Sequence, residues 1–427
     1  MIGYAGLSHL GLVSAVAAAA KGFEVVGFDA DASLVDTIAR GQLPVVEPGL
    51  PELLAANRQR LRFSADPSSL LACRVIYVSV DVPIDDQGRS DLSPVETLLG
   101  TVSGHSAPDA VIVILSQVNP GFTRRRVRQV ETQKRRLLYQ VETLIFGRAV
   151  ERALHPERFI VGCVDPADSL PAPLSEYLAA FGCPILPMRF ESAELAKIAI
   201  NMFLTSTLTT TNMLAGICEA VGADWAEIAP SLRLDGRIGP RAYLQPGLGI
   251  GGTNLLRDMV TIQAIASEWG TDAGPVAAWI ANSRWRRDWA LRTVHREVLG
   301  RTPPAIVAVW GLAYKENTAS TRHSPGVELV AALKGFRRRA YDPAAKLDLA
   351  GDSLFTQCDA PLEACAGADV LVIMTPWPEF ATIEPAAIRA AMRGRIVIDP
   401  YGLLPESDCV TAGLSHLRLG VSDVPEC

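Results

Sequence analysis

No apolar run in this 427-residue chain approaches the roughly eighteen residues that a membrane span needs. Its first residues form a short apolar segment with no basic leader, so no secretory signal and no membrane partner are expected. Clustered cysteines are missing as well. Cys73, Cys163, Cys183, Cys218, Cys358, Cys365, Cys409 and Cys427 are scattered and form no CxxC pair. That pattern disfavours zinc and a disulfide framework, and favours free thiols in a reducing cytoplasm. The 6 histidines are equally dispersed, so no metal centre is expected. Positive charge is not in excess: the formal net charge is −6, which argues against a nucleic-acid partner. Lysine is scarce, with six lysines among 40 basic residues, and each lysine position therefore carries weight.

What is present is ordinary for a globular enzyme. Hydrophobic residues make up 49% and charged residues 20%, which excludes a disordered or fibrous chain. At about 100–200 residues per domain, the length suits two or three domains. Strand-like runs recur at Met1–Ala5, Glu24–Phe28, Val75–Val80 and Val111–Leu115, with shorter ones at Phe159–Val161 and Ile185–Leu186. Helical stretches separate them, the first over Leu12–Ala20. Alternation of this kind predicts a doubly wound α/β sheet. From Glu191 to about Val221 the pattern becomes one long helix, with Glu191 and Glu194 in its first turn and Ser192 as a cap. A second α/β pattern follows: strands at Ala305–Trp310, near Ala340–Tyr341, at Val370–Met374 and at Ile396–Ile398, with a helix over Val327–Leu333. The expected architecture is two Rossmann-like lobes joined by a long central helix. Its parts are residues 1–189, a central helical region 190–295 with a substrate loop, and residues 296–427. The arginines at 124–126, 128, 135 and 136 read as a solvated helix face.

Gly6-Leu7-Ser8-His9-Leu10-Gly11 lies between the first strand and its helix. A dinucleotide turn needs GxGxxG there: the first glycine makes the tight turn, the second admits the pyrophosphate, and the third permits close packing. Ser8 stands at the middle position and weakens the fingerprint. Asp29 ends the second strand, where a carboxylate binds ribose hydroxyls and repels the extra phosphate of NADP. The constellation of Gly6, Ser8, His9, Leu10, Gly11 and Asp29 therefore predicts NAD.

Beyond this turn the chain resembles the UDP-glucose/GDP-mannose dehydrogenase family. The resemblance rests on Gly41–Pro44 and Glu47–Leu50, on Ser116–Gly121 (SQVNPG), and on Tyr139–Ala149 (YQVETLIFGRA). It continues through Glu191–Asn201 (ESAELAKIAIN), Arg233–Gly239 (RLDGRIG), Pro246–Asp258 (PGLGIGGTNLLRD) and Gly311–Pro325 (GLAYKENTASTRHSP). It implies an NAD lobe, a nucleotide-sugar lobe, a UDP-sugar as the substrate class, a homodimer paired near the long helix, and a place in polysaccharide synthesis. It also implies catalytic roles for Lys197 and Asn201, which stand four residues apart on one helix face, and for Asp258 and Glu142. Substrate contacts fall to Thr143, Leu144, Arg237, Tyr243, Leu244, Gly247, Gly249, Gly251, Gly252 and Lys315, and a cofactor contact to Arg322.

Three departures concern one half of the family's chemistry. Family members oxidise an alcohol to an aldehyde and then, through a cysteine thioester, to an acid. The cysteine position is Asn254 here, the glutamate implicated in thioester hydrolysis falls at Phe146, and a water-holding threonine falls at Gln117. An amide is no nucleophile and a phenyl ring no base. The expectation is one alcohol-to-carbonyl hydride transfer, with the carbonyl either released or re-reduced. An ordinary two-step UDP-glucose 6-dehydrogenase and a non-catalytic binding subunit are the alternatives.

Overall fold

The computed structural model describes residues 1–85, 87–131, 135–251, 254–299 and 305–421. The chain divides into two compact units, residues 1–200 and 201–427.

The first unit holds an eight-stranded sheet. Its strands are β1 (Ile2–Ala5), β2 (Val25–Phe28), β3 (Leu61–Ser64), β4 (Val75–Val78), β5 (Val111–Ile114), β6 (Arg136–Gln140), β7 (Phe159–Cys163) and β8 (Ile185–Arg189). They lie in the order β3-β2-β1-β4-β5-β6-β7-β8. All pairs are parallel except β6 with β7. The inner strands read IGYA, VIYV and VIVI and are buried along their whole length. That is the signature of a sheet covered on both faces. The cover on one face includes the helix His9–Ala20, whose small residues at Ala15 and Ala17–Ala19 pack with almost no exposure.

The second unit holds a six-stranded parallel sheet: β9 (Ile306–Trp310), β10 (Arg337–Tyr341), β11 (Phe355–Gln357), β12 (Val370–Ile373), β13 (Ile396–Ile398) and β14 (Ser415–Leu417). The order β11-β10-β9-β12-β13-β14 repeats the first six positions of the other sheet. The helices Trp225–Leu234, Asn254–Trp269 and Gly274–Arg287 belong to the same unit. Glu219 ties several of its parts together. Its carboxylate accepts from Arg286 Nη2 at 2.7 Å, Trp289 Nε1 at 2.9 Å and the Gly420 N–H at 2.9 Å.

The doubly wound reading holds, with the 32-residue helix Phe190–Val221 joining the two sheets. Three local expectations change. Ser192 lies inside that helix and caps nothing, because helical backbone already begins at Phe190. Glu194 lies beyond the first turn and points to another element. Its carboxylate accepts from the backbone N–H groups of Gly121 (2.5 Å) and Thr123 (2.8 Å), so it caps the helix Phe122–Glu131 from outside. The arginine run also splits. Arg124–Arg128 lie on the helix Phe122–Glu131, whereas Arg136 opens β6 and Arg135 bonds the hydroxyl and carbonyl of Ser106.

Candidate active site

In the first unit the turn after β1 gathers Gly6, Ser8, His9, Leu10, Gly11 and Asp29. Gly6 has φ +90°, and a Cβ there would lie 2.9 Å from the Val80 nitrogen. A Cβ on Gly11 would lie 1.8 Å from the Gly6 oxygen, so helix and strand meet at a distance only glycine allows. Asp29 follows β2 and is half-buried. Its carboxylate accepts from the Leu7 N–H at 2.8 Å and the Asp31 N–H at 3.0 Å. Those two bonds aim it and leave lone pairs for a diol. This chemistry fits a dinucleotide: Asp29 for the adenosine ribose, and the N–H groups at the start of the helix His9–Ala20 for the pyrophosphate.

Two features of this turn were not legible in the sequence. His9 is buried, and its Nε2 lies 2.8 Å from Glu47 Oε1. Glu47 also accepts from the N–H groups of Gly147 and Ala149. The Phe146 ring stacks on His9 with centroids 4.1 Å apart. The only hint was Glu47 in the quoted Glu47–Leu50 motif. The second feature is Asp81, whose carboxylate accepts from the His9 N–H at 3.1 Å.

Glu142 follows β6. Its Oε2 accepts from the Leu144 N–H at 2.7 Å, and its Oε1 pairs with Lys197 Nζ at 3.1 Å. Both side chains are mostly shielded, at 18% and 11% exposure, so solvent and salt screen this pair less than a surface one. Thr143 and Leu144 line a cavity with Glu142, Tyr4, Leu10 and Gln140. Ser116 donates to the Val80 carbonyl at 2.6 Å and holds its turn against the end of β4.

In the second unit Asn201 Nδ2 donates to Asp258 Oδ2 at 2.6 Å, while Arg257 Nε donates to Asp258 Oδ1 at 3.0 Å. Asn201, Arg257 and Asp258 are all buried. Asn254 begins the helix that carries Asp258 and is exposed. The glycine loop before it is pinned. The Gly247 N–H donates to Asn212 Oδ1 at 2.8 Å, and the Ile250 N–H to Ser283 Oγ at 2.8 Å. Gly249 has φ +74°, and Gly251 lies beside Tyr314. Gly252 lies outside the described residues. Tyr243 is 47% exposed, while Leu244 is buried beside Ala215, Cys218 and Trp225, its carbonyl taken by Trp225 Nε1 at 2.7 Å. Arg237 is not drawn to this loop: its guanidinium binds Asp235 at 2.6 Å and is 89% exposed. Lys315 Nζ lies 5.7 Å from the Tyr314 ring centroid, and Arg322 is exposed in the turn between β9 and the helix Pro325–Ala332.

All seven described cysteines are free. Burial pushes every one of their thiols up, Cys73 to about 11, Cys365 to about 12 and Cys409 to about 11. Among the described residues no helix is long and apolar enough to cross a membrane, and no group of three or more His, Cys, Asp or Glu side chains is disposed to hold a metal ion.

Known proteins repeat this arrangement. Residues 1–177 match the NAD binding domain of the UDP-glucose/GDP-mannose dehydrogenase family, 191–283 its central domain and 308–406 its UDP binding domain. A UDP-glucose 6-dehydrogenase of Bacillus subtilis is 32% identical over 434 residues, covering 97% of this chain and 92% of that one. One from Pseudomonas aeruginosa is 29% identical over 445 residues, covering 99% and 98%. Among solved structures, a UDP-D-ManNAc dehydrogenase from Pyrococcus horikoshii superposes with a TM-score of 0.83 at 25% identity, covering 99% of this chain and 100% of that one. A UDP-glucose dehydrogenase from Pyrobaculum islandicum gives 0.82 at 27%, covering 93% of each. With all three family domains matched in order along the chain, it belongs to the UDP-glucose/GDP-mannose dehydrogenase family and is an NAD-dependent nucleotide-sugar dehydrogenase.

Proposed function

We propose that this chain oxidises an alcohol of a UDP-sugar once and stops at the carbonyl. The observation that carries this reading is the chemistry of its thiols. The exposed residue that opens the helix after the glycine loop is Asn254, and each described cysteine lies elsewhere with its thiol shifted away from the reactive thiolate. A helix N-terminus favours a thiolate, so the setting suits a nucleophile and the side chain does not. Phe146 adds support, since its ring is spent in a stack on His9.

The remaining machinery suits alcohol oxidation. Bound NAD supplies the hydride acceptor. Asp258, aimed by Asn201 and Arg257, takes the hydroxyl proton as the carbonyl forms. Lys197 and Asn201, one turn apart on the long helix, stabilise the developing oxyanion. Glu142 holds Lys197 in place until substrate enters. The pinned glycine loop of Gly247, Gly249 and Gly251, with Thr143, Leu144, Tyr243, Leu244, Arg237 and Lys315, receives the nucleotide sugar, and Arg322 contacts the cofactor.

The same proposal divides the chain at 1–189, 190–295 and 296–427, sets it in the cytoplasm, and pairs it as a homodimer. Exposed Phe203, Met213, Ile217 and Val221 on the long helix support the pairing; a monomer by light scattering at micromolar concentration refutes it. The test of the activity is NADH stoichiometry on a panel of UDP-sugars with hydroxylamine as carbonyl trap and product mass recorded. One NADH and a trapped carbonyl are expected. Two NADH and a uronic acid overturn the single-step reading.

A further inference from the structure

The dinucleotide turn of this chain is already occupied by an anion of its own. In such turns the pyrophosphate takes the first free N–H groups of the helix, which here belong to His9 and Leu10. Asp81, three residues past β4, sends Oδ2 to the His9 N–H at 3.1 Å. Ser8, at the position of the fingerprint's middle glycine, completes the arrangement. Its hydroxyl oxygen accepts from the Asp81 N–H at 2.9 Å and donates to the Ser79 carbonyl at 3.3 Å. Ser8 of the turn and Asp81 of the loop after β4 are thus parts of one device: the Ser8 hydroxyl clips that loop to the helix start, and the Asp81 carboxylate covers the donors.

The electrical surroundings agree with this geometry. Although Asp81 has surface open to solvent, desolvation by the protein around it raises its carboxyl pKa, and the Glu142 charge adds to the rise. The His9 charge, the Ser8 hydroxyl and the Leu10 N–H oppose the rise without cancelling it. A second anion brought to the same N–H groups meets both the charge of Asp81 and its prior claim on the donors.

We propose that Asp81 sets the affinity for the dinucleotide by competing with its pyrophosphate for the helix N–H groups, so that the cofactor is held loosely and exchanged at each turnover. This rests on the NAD reading of the turn and sharpens the proposed reaction. A chain that re-reduces its own carbonyl gains from keeping its NADH, whereas a single-step dehydrogenase must release it.

The test is calorimetric titration of the full-length protein and of Asp81→Asn with NAD and with adenosine. Asparagine keeps an oxygen for the His9 N–H but removes the charge, and Asp81→Ser serves as a second uncharged variant. NAD binding is expected to tighten about tenfold in both variants, with adenosine unchanged because it lacks the phosphates. Equal NAD affinity in all three proteins overturns the inference and leaves the NAD reading standing. An equal gain for adenosine also overturns it, since the effect then lies outside the phosphate site. No NAD binding in any of the three overturns the cofactor reading together with the inference.

Discussion

The two sheets of this chain share an order, and each has a carboxylate after the second strand of its turn, yet the two carboxylates have different surroundings. Asp29 follows β2 half-open, held by two backbone N–H groups. Asp342 follows β10 and is buried with five donors: the N–H groups of Leu312, Ala313, Ala344 and Ala345, and Trp377 Nε1. The glycines repeat as well. A Cβ on Gly326 would lie 2.3 Å from the Gly311 oxygen, as one on Gly11 would lie 1.8 Å from that of Gly6. The same turn architecture thus leaves a carboxylate with lone pairs to spare in one lobe, the proposed ribose ligand, and a saturated structural one in the other. An acidic residue at the end of a Rossmann strand is not by itself a ribose site; it must also keep lone pairs that the protein leaves unfilled.

The largest expected effect is on stability. Asp342→Ala orphans five donors in a buried setting and should cost at least about 4 kcal/mol, whereas Asp29→Ala should cost about 1 kcal/mol. Urea unfolding of both variants checks this, and equal losses would break the comparison. Next, Gly11→Ala and Gly326→Ala should each cost about 3 kcal/mol, with Gly11 the worse because its approach is closer. Thermal unfolding gives the ranking, and a reversed order would mean that the second turn is the tighter one.

A smaller effect belongs to Asp29 alone. Asp29→Ala should weaken NAD binding about tenfold and narrow the preference for NAD over NADP, because a charged acceptor for the ribose hydroxyls is lost. Titration with both cofactors measures it. Unchanged NAD affinity would put Asp29 in the same structural class as Asp342. The smallest effect should erase the contrast between lobes. With burial pushing the thiols of Cys73 in the first lobe and Cys409 in the second up to about 11, and that of Cys365 up to about 12, at most about one thiol in a thousand is ionised at pH 8. Iodoacetamide should label these three slowly in the native protein and quickly in urea, as mass spectrometry would report; fast native labelling of any one reopens a thiol mechanism.

The sequence carried the fold wherever a strand is buried on both faces, because continuous apolar runs such as Val111–Ile114 and Ile396–Ile398 admit few other readings. It did not carry β6, where Arg135 and Arg136 continue the charge pattern of the preceding helix and conceal the apolar residues behind them. The strands β3, β11 and β14 read LRFS, FTQ and SHL, so polar residues break the continuous apolar run that reveals β13 at similar length. In the candidate site, local spacing gave the turn glycines and Asp29. It gave neither Asp81 nor the Glu47 contact with His9, because these partners stand 72 and 38 residues apart and meet only through the sheet order.

The carboxylate of Glu194 gives a timing signal for the first unit. The amides of Gly121 and Thr123 are protected by a side chain that arrives from the long helix, and burial raises the pKa of that carboxyl. Their exchange with deuterium therefore follows the docking of the helix end. An excursion that lifts residues 190–200 from the sheet should expose these two amides first, while the strand amides of β4 and β5 stay closed.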